Sequence, residues 1–202
     1  MIGIIDYGLG NVNAFLRMLN ELNVETTLVK DRESLAKSSK LILPGVGEYD
    51  DAMEKIRSQP YFNDLHEDII VRKKPILGVC IAMQIFGKKS EEGHKSGLSF
   101  VDFDVKKFSE KEGFRVPHMG WNSVSSNSDP IFKGINLDHG FYFLHSYIVD
   151  NLDEKYAIST CDYSENFVCG FKKENIYGFQ FHPEKSHLNG TLLLKNFSEM
   201  QC

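Results

Sequence analysis

The chain has 202 residues, of which 42% are apolar and 25% charged, and its 28 acids against 23 bases leave a net charge of −5. That balance excludes a disordered chain, and without a basic block it speaks against nucleic acid or an anionic membrane as partner. The length suits a single domain over residues 1–202 with a full core of its own.

In chain order, Ile2–Asp6 reads as a buried strand. A helix follows from about Asn11, with Val12, Phe15, Leu16, Leu19 and Leu22 on one face at helical spacing. Val24–Lys30 is a second strand, and Asp31 can cap a short helix through about Lys37. Lys40–Leu43 is a third strand, stopped by Pro44-Gly45. Two helical stretches come next, the second opening at Pro60 and burying Phe62, Leu65 and Ile69. Pro75–Val79 is a fourth buried strand that leads straight into helix from Ile81. This alternation implies a parallel sheet covered on both faces. The second half is richer in strands: Leu98–Val105, Phe141–Val149, Tyr156–Cys161, a hairpin partner at Phe167–Phe171, and Tyr177–Phe181. A terminal helix is expected near Leu192–Met200.

The longest mostly apolar stretch, Pro75–Gly87, is shorter than the ~20 residues a membrane span needs. The N-terminus lacks a basic region followed by a separate apolar one, so no signal peptide is read and the cytoplasm follows by default. Cys80, Cys161, Cys169 and Cys202 form no C-x-x-C pair. No metal and no cofactor are expected, and small buried hydrophobes are the ordinary reading of such cysteines.

Cys80 stands out from that reading. In Leu77-Gly-Val-Cys-Ile-Ala82 it sits where a buried strand turns into a helix, with Gly78 and Ala82 two positions to either side. A strained strand-to-helix turn needs small residues there, and a helix start favours a thiolate. The Ile81 N–H then faces a prospective oxyanion site. A thiol nucleophile needs a base, and the base needs an orienting acceptor. His182 and Glu184, two apart at the end of an extended run, place both side chains on one side of the chain. Gly45, Val46 and Gly47 follow a parallel strand, where backbone N–H groups line a ligand edge, although a plain tight turn is the commoner use of such residues. Gly8-Leu9-Gly10-Asn11 lacks the third glycine of a dinucleotide fingerprint. Pro117–Asn122, with the sole tryptophan, suits a partner surface, and core packing accounts for it at least as well. His145, inside a strand, suits a positioning role better than that of a second base.

Taken together these segments are specific. Asp6-Tyr-Gly-x-Gly-Asn11, Leu43-Pro-Gly-Val-Gly47, Gly78-Val-Cys-x-x-Met-Gln84, Ser90-x-Glu-Gly93, Pro117-His-Met-Gly-Trp-Asn122, His145-Ser-Tyr147 and Gln180-Phe-His-Pro-Glu-Lys-Ser186 run nearly end to end. The chain resembles the class I, triad-type glutamine amidotransferases, and within them the glutaminase subunits of imidazole glycerol phosphate synthase. The resemblance implies a flavodoxin-like α/β fold: a mostly parallel sheet with helices on both faces and antiparallel strands added in the C-terminal half. It implies Cys80 as nucleophile, His182 as base and Glu184 as its orienting group. It implies an oxyanion site at Ile81 and the Gly45-Val46-Gly47 strand, with glutamine bound by Gly47, Gln84, Glu92, His145, Ser146 and Tyr147. It also implies a (β/α)8-barrel cyclase partner, met by Asn11, Arg17, His118, Met119 and Trp121, that receives the ammonia for histidine biosynthesis. A paralogous subunit supplying ammonia for sugar amidination in surface glycans is the alternative acceptor reading. Ile81-Ala82, Lys88 and Ser164 depart from the pattern of the family. A stand-alone hydrolase and a non-catalytic binding subunit form the rival classes; the complete Cys80, His182 and Glu184 set argues against the second.

Overall fold

A computed structural model describes residues 1–109 and 111–200; Cys202, grouped above with the small buried cysteines, lies outside the described residues. The chain runs β1 (Ile2–Ile5), α1 (Val12–Glu21), β2 (Thr26–Val29), α2 (Arg32–Lys37), β3 (Lys40–Leu43), α3 (Tyr49–Arg57), α4 (Phe62–Ile70), β4 (Ile76–Val79) and α5 (Ile81–Ile85). It continues with β5 (Lys89–Ser90), β6 (Asp104–Lys107), β7 (His118–Asn122), β8 (Ser125–Ser126), β9 (Phe141–His145), β10 (Tyr147–Asp150), β11 (Ala157–Asp162), β12 (Asn166–Lys173), β13 (Ile176–Phe179) and α6 (His187–Glu199).

The main sheet has eight strands in the order β2-β1-β3-β4-β13-β12-β11-β8. From β2 to β13 every pairing is parallel; β12, β11 and β8 continue the sheet antiparallel. The order 2-1-3-4 at one end is the flavodoxin-like pattern. A two-stranded sheet pairs β7 with β9, and a three-stranded one runs β10-β6-β5.

Alternation along the central strands explains the two covered faces. Leu41 and Leu43 of β3 point into one apolar cluster, with Ala52, Met53 and Ile56 of α3, Leu65 and Ile69 of α4, and Met83 and Ile85 of α5. Ile42 points into the other, with Phe15 and Leu19 of α1 and Leu193, Leu194 and Phe197 of α6. Each of the leucine, isoleucine, methionine and phenylalanine side chains, fully buried, is worth about 1.5–3 kcal/mol. Local signals set the element ends. The Asn11 side chain accepts from the Ala14 N–H at 3.2 Å, capping α1. Asp31 and Ser34 form a reciprocal capping box on α2.

Several expectations are corrected. Pro60 lies in the turn before α4, which begins at Phe62, and Phe62 is only half-buried. Leu98–Val105 is not one strand. The Leu98, Ser99 and Val101 N–H groups bond to Ile85, Gly87 and Phe86 carbonyls at the end of α5, and pairing begins only at Asp104. Phe141–Val149 is two strands, broken at Ser146, with β9 in one small sheet and β10 in the other. The last strand ends at Phe179, and α6 begins five residues earlier than expected, at His187. β7 was not foreseen as a strand. Among the described residues, no helix is long and apolar enough to cross a membrane.

Candidate active site

Four loops meet at the carboxyl edge of the parallel strands, where α/β sheets of this kind bind ligands. They are Asp6–Asn11 after β1, Pro44–Glu48 after β3, the turn at Cys80 after β4, and Gln180–Glu184 after β13. Strand order makes the last two neighbours: β13 pairs in parallel with β4, Phe179 opposite Val79.

Cys80 sits at φ 55°, ψ −115°, outside the regions open to residues with a side chain. The turn holds because its backbone is gripped on both sides. The Cys80 N–H bonds to the Phe179 carbonyl at 2.8 Å, and its own carbonyl accepts from Gln84 at 3.2 Å, opening α5. A Cβ on Gly78 would meet the Phe86 ring at 2.5 Å. Ala82, at the departure from the family pattern, is completely buried, and its backbone nitrogen lies where a Cβ on Gly45 would come within 2.5 Å. Such overlap costs about 1–3 kcal/mol when the neighbours are backbone. Gly45→Ala is therefore expected to lower unfolding free energy by that amount in a denaturant titration; an unchanged midpoint would show the packing to be slack.

The Pro44–Glu48 segment is a loop and not the strand expected for it. Gly45 is packed against the elbow, while Val46 and Gly47 are exposed and line the cavity. Gly10, at φ 91°, presses on this loop from the other side, its missing Cβ falling 2.5 Å from Pro44 Cβ. That packing accounts for Gly10 with no phosphate to cradle. As the first residue of α5, Ile81 has an N–H that no carbonyl of the helix can take.

His182 and Glu184 are brought together, though by a different geometry from the one expected. Their backbone is not a continuing strand. After His182 it turns into a short 3-10 segment, Pro183–Lys185, and the His182 Nδ1–Glu184 Oε1 distance is 2.8 Å. The His182 N–H bonds to the Tyr142 carbonyl at 2.9 Å, and the Ser186 hydroxyl donates to the His182 carbonyl at 2.6 Å. Burial works against a charge on His182, but hydrogen bonds and charge from Cys80 and Glu184 outweigh it and push its pKa up to about 10. With Nδ1 on Glu184, Nε2 is left for the Cys80 sulfur. The second oxygen of Glu184, Oε2, is buried with no hydrogen-bond partner.

A cavity of about 250 Å³ opens on this pair, lined by Val46, Gly47, Cys80, Glu92, Leu144, His145, Ser146, Tyr147 and His182 among others. The break between β9 and β10 at Ser146 is what turns residues 144–147 toward it. The Glu92 carboxyl pKa is raised, chiefly by burial and further by Glu48 and Asp50, although the Tyr49 N–H bonds to it at 3.2 Å. Gln84 does not line the cavity. It is buried beside Cys80, with Nε2 engaged by the Tyr147 carbonyl at 3.1 Å and Gln180 Oε1 at 3.0 Å, and its Oε1 free.

The residues expected at a partner face divide. Along β7 the side chains alternate, so Met119 and Trp121 point outward, 66% and 41% exposed, whereas His118 is 2% exposed. His118 is thus not a surface residue: its ring stacks on Tyr163 and Phe143 and bonds to His145. Trp121 lies parallel to the His187 ring. Arg17 is exposed and borders a groove with Lys185, His187 and Glu184. Asn11 is exposed as well as capping α1. Lys88, another departure, pairs with Asp102 at 2.5 Å on the surface, and Ser164 is buried with its hydroxyl unpartnered. The sequence has no separate signal for Gln180, whose Nε2 lies 3.7 Å from the Cys80 sulfur; it stands only as the first residue of Gln180-Phe-His-Pro-Glu-Lys-Ser186.

Residues 3–200 match the family profile described as glutamine amidotransferase class-I. The chain is 41% identical over 201 residues to the imidazole glycerol phosphate synthase subunit HisH 2 of Pseudomonas aeruginosa, covering 99% of this chain and 100% of that one. It is 44% identical over 205 residues to the subunit HisH of Leptospira borgpetersenii, with the same coverage. Among solved structures, that of a putative GMP synthase protein from Thermoplasma acidophilum superposes with a TM-score of 0.70 at 26% identity, over 98% of this chain and 91% of that one. PurLQS from Thermotoga maritima superposes with a TM-score of 0.72 at 18% identity, over 96% and 95% of the two chains, a likeness of fold. The family match spans the turn at Cys80, the His182–Glu184 pair and the sheet that positions them, and the chain belongs to the class-I glutamine amidotransferases.

Proposed function

We propose that this chain is the glutaminase subunit of an imidazole glycerol phosphate synthase, releasing ammonia from glutamine for a cyclase partner. One observation carries the chemistry: Cys80 on a strained elbow, beside a buried His182 that Glu184 orients at 2.8 Å, with Cys80 and His182 both lining one small cavity. Residues 1–202 are read as one amidotransferase domain, which the family match over residues 3–200 supports.

The Cys80 sulfur attacks the side-chain amide carbon of glutamine. Negative charge develops on the amide oxygen, facing the Ile81 N–H and the Gly45–Gly47 loop, where fixed donors act most strongly. His182, protonated at rest, gives its proton to the leaving nitrogen, and ammonia departs from a thioester on Cys80. Water then attacks the thioester with His182 as base, and glutamate leaves with the sulfur restored. Water is the sole co-reactant, and no atom changes oxidation state. Glu92, with Gly47, His145, Ser146 and Tyr147, holds the amino-acid end of the substrate, a carboxylate suiting an ammonium group. Gln84 contributes from behind the cavity wall.

The partner is proposed to be a (β/α)8-barrel cyclase, docking over Met119 and Trp121 with Asn11 and Arg17 at its margin. Two exposed large apolar side chains on one short strand are the kind of anchor such interfaces use. A closed route to the acceptor has a chemical purpose: ammonia released into neutral water is protonated and ceases to be a nucleophile. The cytoplasm is the proposed location.

The test is a coupled assay with the barrel partner, glutamine and the ribonucleotide of the histidine pathway. Glutamate and imidazole glycerol phosphate are expected to accumulate in step, and faster than glutamate from this chain alone. Glutamate without the imidazole product would leave the triad standing and move the acceptor to another class, sugars first. No glutamate under either condition would overturn the glutaminase reading.

A further inference from the structure

We infer that Gln180 is a positioning residue that keeps a hydrogen-bond donor on the Cys80 sulfur, and that Gln84 holds it in that orientation. The inference rests on the reading of Cys80 as nucleophile. Gln180 follows β13, is completely buried, and bonds through its own N–H to the Cys169 carbonyl at 2.9 Å. Its side chain bridges two groups: Oε1 accepts from Gln84 Nε2 at 3.0 Å, and Nε2 lies 3.7 Å from Cys80 Sγ.

An amide can be turned end for end, so its direction must come from its partners. Gln84 Nε2 also lies 3.1 Å from the Tyr147 carbonyl, which can only accept. That places the NH2 group of Gln84 on this side. One hydrogen goes to Tyr147 and the other to Gln180, which must answer with its oxygen. The N–H of Gln180 is then the only end left for sulfur.

The Tyr147 carbonyl is itself held. His145 Nδ1 lies 2.9 Å away and must be the protonated nitrogen, since a carbonyl cannot donate. His145 Nε2 is therefore an acceptor, and His118 Nδ1 donates to it at 3.1 Å. Burial lowers the pKa of His145 to about 3 and of His118 to about 4, so both rings stay neutral and keep these tautomers at physiological pH. The two histidines form a fixed polar strut behind the site.

Two groups thus compete for the sulfur besides His182. The Leu144 carbonyl at 3.8 Å suits a thiol, and the Gln180 N–H suits a thiolate. Removing Gln180 leaves the carbonyl opposed by His182 alone.

The test uses the full-length chain and follows alkylation of Cys80 by iodoacetamide, located by peptide mass mapping, from pH 5 to 10. Gln180→Leu and Gln180→Met are expected to react about tenfold more slowly than wild type at pH 7 and to converge on it at high pH. Their KM for glutamine should stay within about twofold while kcat falls. Gln84→Leu, which frees the Gln180 amide to turn, should give a smaller displacement in the same direction. A wild-type alkylation profile in the Gln180 variants overturns the inference, because a merely packing role would leave the pH dependence in place. Should neither variant fold, the unsubstituted protein answers: the Gln180 side-chain NH2 resonances must shift with the same midpoint as thiolate absorbance at 240 nm, and a flat signal refutes the contact. Wild-type Cys80 that resists alkylation at every pH would instead sink the nucleophile reading on which the inference stands.

Discussion

Cys80→Ala is expected to reduce glutamate release from glutamine to background, a loss of at least ~10³-fold, with the fold intact. No other thiol can substitute among the described residues. Cys161 and Cys169 are buried with their thiols pushed up, Cys161 to about 12, chiefly by burial. The backbone at the elbow adds a sharper expectation. At φ 55°, ψ −115° a side chain costs about 1–3 kcal/mol, and alanine retains that cost. Glycine ordinarily destabilises by ~0.5–1 kcal/mol relative to alanine, through its greater freedom in the unfolded chain. Here relief of strain exceeds that entropy, so Cys80→Gly should be more stable than Cys80→Ala by about 1 kcal/mol in guanidinium unfolding. The usual order, alanine above glycine, would mean that the elbow stores no strain. The comparison matters for function, since it shows whether the fold holds the sulfur exposed at a thermodynamic cost.

Glu184→Gln is expected to lower kcat by ~10²–10⁴ with KM nearly unchanged. The amide keeps the shape of the carboxylate but not its charge, and it can turn an N–H toward His182 Nδ1, which abolishes the orientation that leaves Nε2 for Cys80. The same interaction has a signature in stability. The folded pKa of His182, about 10, lies above its ordinary value of 6.5. A group raised in this way binds its proton more tightly in the folded state, so its contribution is complete below about 6.5 and declines as pH rises toward 10. The stability gap between wild type and His182→Asn should therefore be widest near pH 6 and narrow steadily to pH 10. A gap that stays constant across this range would place the imidazole in its neutral form and remove the proton donor from the proposed first step.

How much of this was legible beforehand differs by residue. Lys40–Leu43 and the short helix capped by Asp31 were readable because their signals are local: an apolar run stopped by Pro44-Gly45, and an acid poised before a turn of helix. Cys80 was readable for the same reason, since Gly78 and Ala82 are demanded by the turn itself. Periodicity, by contrast, reports that a residue is buried and not what buries it. Leu98, Phe100, Val101 and Phe103 are all buried, yet they pack beside α5 without pairing, and their pattern alone looked like a strand.

The stretch Phe141–Val149 shows the limit most clearly. Its composition is that of one continuous strand, and the break at Ser146 exists because β9 pairs with β7 while β10 pairs with β6, from separate parts of the chain. Those pairings turn His118 inward, bring the Tyr147 carbonyl over Gln84, and leave Met119 and Trp121 outside. Gln180 is the same case at the site itself: its meaning lies in Cys80, 100 positions away, and Gln84, 96 positions away. Turn chemistry, capping and the alternation of apolar residues are short-range and are written into neighbouring residues. A hydrogen bond between distant side chains depends on strand order and register, which hold only once the whole sheet has closed around them.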